Sequence, residues 1–299
     1  MRFILIGLLF LLSLAHAQNI AFSSPQALTT VEQGDFSHPF VSPAGRIFFT
    51  QPNYKGLYYL NSEGEVFTLT EERGAGYDAA FSGDGSALYY RTYKYQGPRR
   101  FFSMYRYDLA TAQKETVFEN EREAGRLQPV QEGGMVLLQN GTRRVLEQPG
   151  ETNAAFAWID DSKIVVSHDG AESALAPRGE GHYIWPSVSP DGTKLLFTKA
   201  GEGTYISDLD GNILVDLGYA NAPRWSADGN WIIYMKDHDD GHRLLASDIF
   251  VTAASGAKTI AVTQTEDQIE LYPYWSPLND FIVFGTESGV IYKIEIVKE

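Results

Sequence analysis

The chain contains no cysteine. Disulfides, thiolate metal centres, thiol nucleophiles and a lipid-bearing cysteine behind a leader are therefore excluded. Basic residues are scarce: 24 Lys and Arg stand against 38 Asp and Glu, a formal charge of −14. Nucleic-acid binding draws its affinity from clustered positive charge, so no nucleic-acid partner is expected. No G-x-S-x-G elbow and no glycine-rich phosphate loop occurs, which leaves a serine hydrolase or nucleotide enzyme without foundation. Long hydrophobic runs are missing everywhere except at the start.

That one run has the layout of a secretory signal. Arg2 supplies the positive end, Phe3 to Leu14 the apolar stretch, and Ala15-His16-Ala17 the small-residue cleavage site. The run is short for a bilayer span, and a retained N-terminal anchor is the alternative reading. The expectation is a signal peptide over residues 1–17 and one domain over 18–299. Such a protein is periplasmic or secreted, with no transmembrane anchor after cleavage.

What the chain has in abundance is a repeated phrase. Ser189-Pro190-Asp191-Gly192 leads into the apolar run Leu195-Leu196-Phe197. Proline pre-sets φ, serine and aspartate bond locally, and glycine accepts the positive φ of a tight turn. The phrase recurs at Ser82-Gly83-Asp84-Gly85 and Ser226-Ala227-Asp228-Gly229, and in worn form at Ser42-Pro43-Ala44-Gly45 and Ser276-Pro277-Leu278-Asn279. With the serine or its equivalent as marker, seven units begin around positions 42, 82, 132, 159, 189, 226 and 276. Units three and four are short and lack the phrase; Asn140-Gly141 there suits a two-residue hairpin. Each full unit offers four short β-branched and aromatic segments. A period near 40 residues with four strands is the mark of a β-propeller. Pro39, Pro186, Pro223 and Pro273 stand three residues before the marker, at the expected start of each innermost strand. The last unit has three strands, and Ala27 to Val31 reads as the fourth, closing the ring from the N-terminal side.

These repeats resemble the TolB-like propeller family, exported bacterial proteins whose blades carry an aromatic-Ser-Pro-Asp-Gly phrase before an apolar strand. The resemblance covers nearly all of the mature chain and implies six blades, against the seven units counted. TolB's additional N-terminal α/β domain has no counterpart here. The fold expected is all-β, a TolB-like propeller of four-stranded blades, six or seven in number.

The aspartates of the repeated phrase read as turn-formers. They are not the aspartate boxes of sialidases, which carry a residue between Asp and Gly. Two other groups carry candidate chemistry. Lys236-Asp237-His238-Asp239-Asp240-Gly241-His242-Arg243 places imidazoles and carboxylates together, ligand types that suit a divalent metal. If His182 opens on the same face, then His182, His238, Asp240 and His242 form a metal set; as a plain solvated loop they hold nothing, and no cofactor is otherwise implied. The second group is aromatic: Tyr183, Trp185, Tyr219, Tyr272 and Tyr274, with His182, Asn221 and Arg224, all at or just before inner strands. Tyr and Trp beside an arginine suit recognition of a peptide or sugar; the same rings also suit packing between blades. Tyr93, Tyr95, Arg99 and Arg100 form a further polar-aromatic insert that reads as solvated. The leading expectation is a monomeric binding module engaging a protein or peptide of the cell envelope without catalysis. The alternative is a metal-dependent propeller enzyme acting on carbohydrate, of lyase type.

Overall fold

In the computed structural model the described residues are 20–130, 134–139, 142–147 and 155–298. The signal segment and the Asn140-Gly141 turn lie outside them. The described residues form seven antiparallel sheets arranged as the blades of one β-propeller. Blade 1 holds Ser37–Val41, Ile47–Gln51, Lys55–Leu60 and Val66–Arg73; blade 2 holds Ala80–Phe81, Ala87–Gln96, Arg99–Asp108 and Lys114–Glu121. Blade 3 (Arg126–Val130, Gly134–Gln139, Thr142–Glu147) and blade 4 (Phe156–Asp160, Lys163–His168, Ala171–Leu175) show three strands each among the described residues. Blade 5 runs from Tyr183 to Gly218, blade 6 from Asn221 to Ala261, and blade 7 from Glu270 to Lys298. The count of six implied by the family resemblance is thereby corrected to seven: the two short units are thin blades in their own right.

The repeated phrase does local work that its aspartate alone does not explain. In blade 5 the Gly192 N–H bonds the Ser189 carbonyl at 2.8 Å and the Ser189 N–H bonds the Lys194 carbonyl at 2.9 Å. The Ser189 hydroxyl accepts from the Lys194 N–H at 2.9 Å and donates to Asp191. The same pattern recurs at Ser82 with Asp84 and Ser226 with Asp228. Ser42, Ser82, Ser189, Ser226 and Ser276 are all buried. Each buried serine closes the corner between the first and second strands, and a buried donor left unpaired there would cost about 1–3 kcal/mol.

The second strand of every blade is apolar on both faces because it has a neighbour on both sides. Leu195 and Phe197 pack toward blade 4, whereas Leu196 packs toward blade 6. Ile232 and Tyr234 face blade 5, while Trp231, Ile233 and Met235 face blade 7. Phe281 and Val283 meet Phe49 and Val41 of blade 1. Seven separate apolar clusters result, one at each junction between consecutive blades, including the junction of blade 7 with blade 1. The thinnest joins blades 3 and 4 through Val136 and Phe156, flanked by Leu138 and Trp158.

The ring closes through the N-terminal segment, as its missing fourth strand implied. The closure differs in detail from a continuous strand at Ala27 to Val31. Ile20–Phe22 pairs with Ile296–Lys298, and Gln26–Ala27 pairs with Tyr292–Lys293. Pro25 has no N–H to donate, which interrupts the ladder. Ser23 bridges the gap, its hydroxyl accepting from the Glu295 N–H at 2.9 Å. Beyond it, buried Thr29 accepts from the Ile291 N–H at 2.9 Å. Among the described residues no helix is long and apolar enough to cross a membrane.

Candidate functional site at the channel mouth

One face of the ring carries the connections that lead into each inner strand, together with the hairpins between second and third strands. On this face the backbone departs from regular geometry in a repeated way. The residue four before each marker serine has a left-handed φ: His38 (47°), Asp78 (52°), Trp185 (53°), Ala222 (50°) and Tyr272 (53°). At four of these positions proline follows and the register slips, between Ser37 and Phe40, Ile184 and Ser187, Asn221 and Arg224, and Leu271 and Tyr274. Proline cannot donate to the ladder, so the strand bulges there and re-aims the preceding side chain. A non-glycine residue in this conformation costs roughly 1–3 kcal/mol, and such strain concentrates at binding and catalytic sites.

Three of the five re-aimed side chains meet around one cluster. The His38 ring stacks on Tyr272 with centroids 3.6 Å apart and lies 4.6 Å from the Tyr54 ring. Tyr54 packs edge-on to Tyr77 at 4.9 Å, and the Arg91 guanidinium sits 4.4 Å over Tyr77. Arg91 also donates to the Gly125 carbonyl at 2.8 Å. Arg224 lies 5.1 Å over Tyr274. Three positive charges, Arg91, Arg126 and Arg224, act on Asp78. The surrounding protein desolvates the Asp78 carboxyl and pushes it up, and the three guanidinium groups pull it back. Asp78 nonetheless keeps an exposed surface.

His38 has the opposite character. Burial, and behind it the charge of Arg224, depress its imidazole to about 4, so the ring is neutral at physiological pH. Its Nδ1 is 2.9 Å from the Ser37 hydroxyl, and its Nε2 is buried with no hydrogen-bond partner among the described residues. Burial likewise raises the phenols of Tyr54, Tyr272 and Tyr274 above their ordinary value. Next to this cluster, Tyr219 and the Asn221 amide both donate to Asp237 Oδ1, at 2.9 and 2.8 Å. The mouth thus sets three guanidinium groups around the single Asp78 carboxylate, an excess of positive charge, beside a neutral imidazole and a wall of tyrosines in a protein that is otherwise acidic. Such a set recognises anions, carboxylates above all, through charge-assisted hydrogen bonds and flat contacts.

The residues expected from sequence divide accordingly. Arg224, Tyr272 and Tyr274 belong to the cluster, with Tyr219 and Asn221 at its edge. Trp185 is exposed and shares the bulged position. His182 is exposed just before the blade 5 inner strand. Tyr183 is buried between blades 4 and 5, its hydroxyl donating to the Gly179 carbonyl at 2.7 Å and accepting from the Arg178 N–H, so it presents no binding surface. Among the described residues, no group of three or more His, Cys, Asp or Glu side chains is close enough to hold a metal. His182, His238, Asp240 and His242 are therefore not gathered into the set the sequence suggested. Asp240 instead accepts from the N–H groups of His242 and Arg243, both at 2.9 Å, which turns the hairpin and holds its carboxyl below the usual range. His38, Tyr54, Asp78, Arg91 and Arg126 were not singled out from sequence. Alignment of the units on the marker serine, read at the fourth residue upstream, would have found His38 and Asp78 beside Trp185 and Tyr272.

A shallow cavity of about 550 Å³ lies elsewhere, at the outer edge of blade 1 between Phe36, Tyr58 and Phe67. It holds no comparable set of charged groups.

No family model and no curated protein matches this sequence. Solved structures do match in fold. A catalytically inactive virginiamycin B lyase from Staphylococcus aureus, solved with quinupristin, is 14% identical; the alignment covers 93% of this chain and 100% of that one at a TM-score of 0.60. Oligogalacturonate lyase from Vibrio parahaemolyticus is 14% identical, covering 93% and 97% at 0.58. A gluconolactonase from Xanthomonas campestris is 13% identical, covering 91% and 89% at 0.55. TolB from Acinetobacter baumannii is 18% identical over 77% of this chain and 55% of its own, at 0.46. At these identities the likeness is one of architecture: the chain has the fold of a β-propeller.

Proposed function

We propose that this chain is an exported β-propeller that binds a carboxylate-bearing protein or peptide of the cell envelope at the channel mouth. The observation that carries the reading is the excess of positive charge where Arg91, Arg126 and Arg224 act on the single Asp78 carboxylate, on a face walled by Tyr54, Tyr77, Tyr272 and Tyr274. The leader-like sequence from Arg2 to Ala17 supports export. Calorimetry with a tetraglutamate peptide and a tetraglutamine control tests the site. The glutamate peptide is expected to bind and the control to fail. Arg224→Ala should weaken binding about tenfold, the equivalent of roughly 1.4 kcal/mol. Unchanged affinity in that variant would remove Arg224 from the site and the reading with it.

A second reading is enzymatic cleavage of an acidic sugar. Its support is His38, a neutral imidazole beside the same cationic set whose Nε2 has no partner among the described residues, unprotonated as a general base must be but a weak one until substrate raises its pKa. Incubation with oligogalacturonate, followed in the ultraviolet for unsaturated product, separates the readings: product formation lost in His38→Gln favours the enzyme.

A further inference from the structure

The hairpin of blade 2 joins the mouth to an unusually basic surface. Between Gly85 and Tyr107 the sequence has no Asp or Glu but includes Arg91, Lys94, Arg99, Arg100 and Arg106. In a chain of net charge −14 this local reversal of sign is conspicuous. The two central strands are ten residues each, Ala87–Gln96 and Arg99–Asp108, and the tip of their hairpin projects beyond the fourth strand's pairing, which reaches Phe102. Lys94, Arg99 and Arg100 are exposed. Among the described residues none of them forms an ion pair, whereas Arg106 lies within 4.0 Å of Glu115 and Glu147. Glu119 and Glu121 of the fourth strand lie alongside, so the excess of positive charge is confined to the hairpin tip.

Register pairs Arg91 with Met104, Tyr93 with Phe102 and Tyr95 with Arg100, which sets Arg91 and Arg100 along one face of the hairpin, while Lys94 and Arg99 lie on the other. Arg91 sits over Tyr77 at 4.4 Å and near Phe102 at 5.9 Å; Arg100 reaches the same Phe102 at 5.9 Å, Tyr93 at 4.9 Å and Tyr95 at 5.5 Å. Arg100 also donates to the Tyr95 hydroxyl at 2.9 Å. Beside it, Arg122 donates to the Arg100 carbonyl at 2.7 Å and lies 5.2 Å over Phe101. Stacking orders the guanidinium planes and lowers the entropy lost when they engage a ligand. It also covers ring faces that a sugar would need for stacking. The N–H groups at the guanidinium edges remain for carboxylates on a flexible chain.

We propose that the blade 2 hairpin extends the mouth into a track for an acidic, extended polypeptide, with Arg91 as the junction and Arg100, on the same face, as the outer contact. The proposal rests on the reading of the mouth as a carboxylate site and names its ligand class more closely. From Arg91 to Tyr95 the strand advances about 14 Å, so a tetraglutamate of about 13 Å fills the mouth alone, while a decaglutamate of about 33 Å reaches the track.

Fluorescence anisotropy of both labelled peptides with the full chain tests this. Decaglutamate should bind about tenfold more tightly than tetraglutamate in low salt. Arg100→Ala should abolish that advantage and leave tetraglutamate affinity unchanged. Arg100→Gln, which keeps side-chain bulk over the rings but removes the charge, should abolish it equally and guards against misfolding of the first variant. Arg224→Ala should weaken both peptides. Equal affinities for the two lengths, or a length advantage that survives both track variants, would overturn the track while the mouth stands. Failure of both peptides to bind would overturn mouth and track together. Tighter binding of an oligogalacturonate of matched charge would replace the polypeptide with a polysaccharide.

Discussion

His38 shows how a single residue is shaped by its surroundings. Its left-handed backbone, its stack on Tyr272 and its unpartnered Nε2 all follow from the bulge before Pro39. Its depressed pKa has a consequence for stability. The unfolded chain takes up a proton near the ordinary value of 6.5, while the folded chain resists until about 4. The contribution of His38 is therefore fully present above pH 6.5, declines as pH falls through that window, and is lost by pH 4. Its size is at most about 3 kcal/mol. Asp78 and Glu270, raised by burial, act in the opposite sense, so the comparison must be with a variant that retains them. Thermal melts from pH 7.5 to 4.5 should show a smaller loss of Tm in His38→Phe than in the unchanged chain; parallel curves would contradict the shift. None of this was legible around Ser37-His38-Pro39, because the covering ring of Tyr272 arrives from blade 7 and the charge of Arg224 from blade 6.

At the scale of the element, the inner strand combines two requirements that conflict locally. Its second half must pair with the apolar strand beside it, and its first half must break the ladder and aim a side chain at the mouth. Proline after the left-handed residue reconciles them. Four of the five left-handed residues are large or charged, and Ala222 alone brings no ligand-type group. Glycine tolerates that conformation without the Cβ clash. Ala222→Gly should accordingly raise stability by about 0.5–1 kcal/mol, net of the extra freedom glycine gives the unfolded chain. Denaturant unfolding should show a higher midpoint at unchanged slope; a lower midpoint would mean that the Ala222 methyl packing against the blade 6–7 core outweighs the strain. The strands and corners of blades 1, 2, 5, 6 and 7 could be read from the repeated phrase, since turn chemistry and apolar runs are local. The bulge was visible only as recurrent proline.

For the molecule as a whole, stability depends on completing the circle. Ile20–Phe22, Gln26–Ala27 and Thr29 cover the outer edge of the last strand, which would otherwise expose unpaired N–H and C=O groups. Removing residues 19–29 should lower Tm markedly and drive the chain to self-associate through the bared edge. Calorimetry with light scattering checks both, and an unchanged, monomeric melt would show that closure is dispensable. Blade number belongs to this scale too. Seven units could be counted, but whether the two short ones made one blade or two depended on packing, and the separate contact of Val136 with Phe156 makes them two.

Amino-acid order alone determined what short-range forces control: the turn at each buried serine, the apolar strand after it, the recurrence of the unit and the unpaired strand at the end. The mouth was decided by tertiary structure. His38, Asp78, Arg91, Arg126, Arg224 and Tyr272 come from blades 1, 2, 3, 6 and 7, and no spacing along the chain brings them near one another. Closing the ring places those positions on one face around one channel, and only there do burial and charge act on groups more than 200 residues apart.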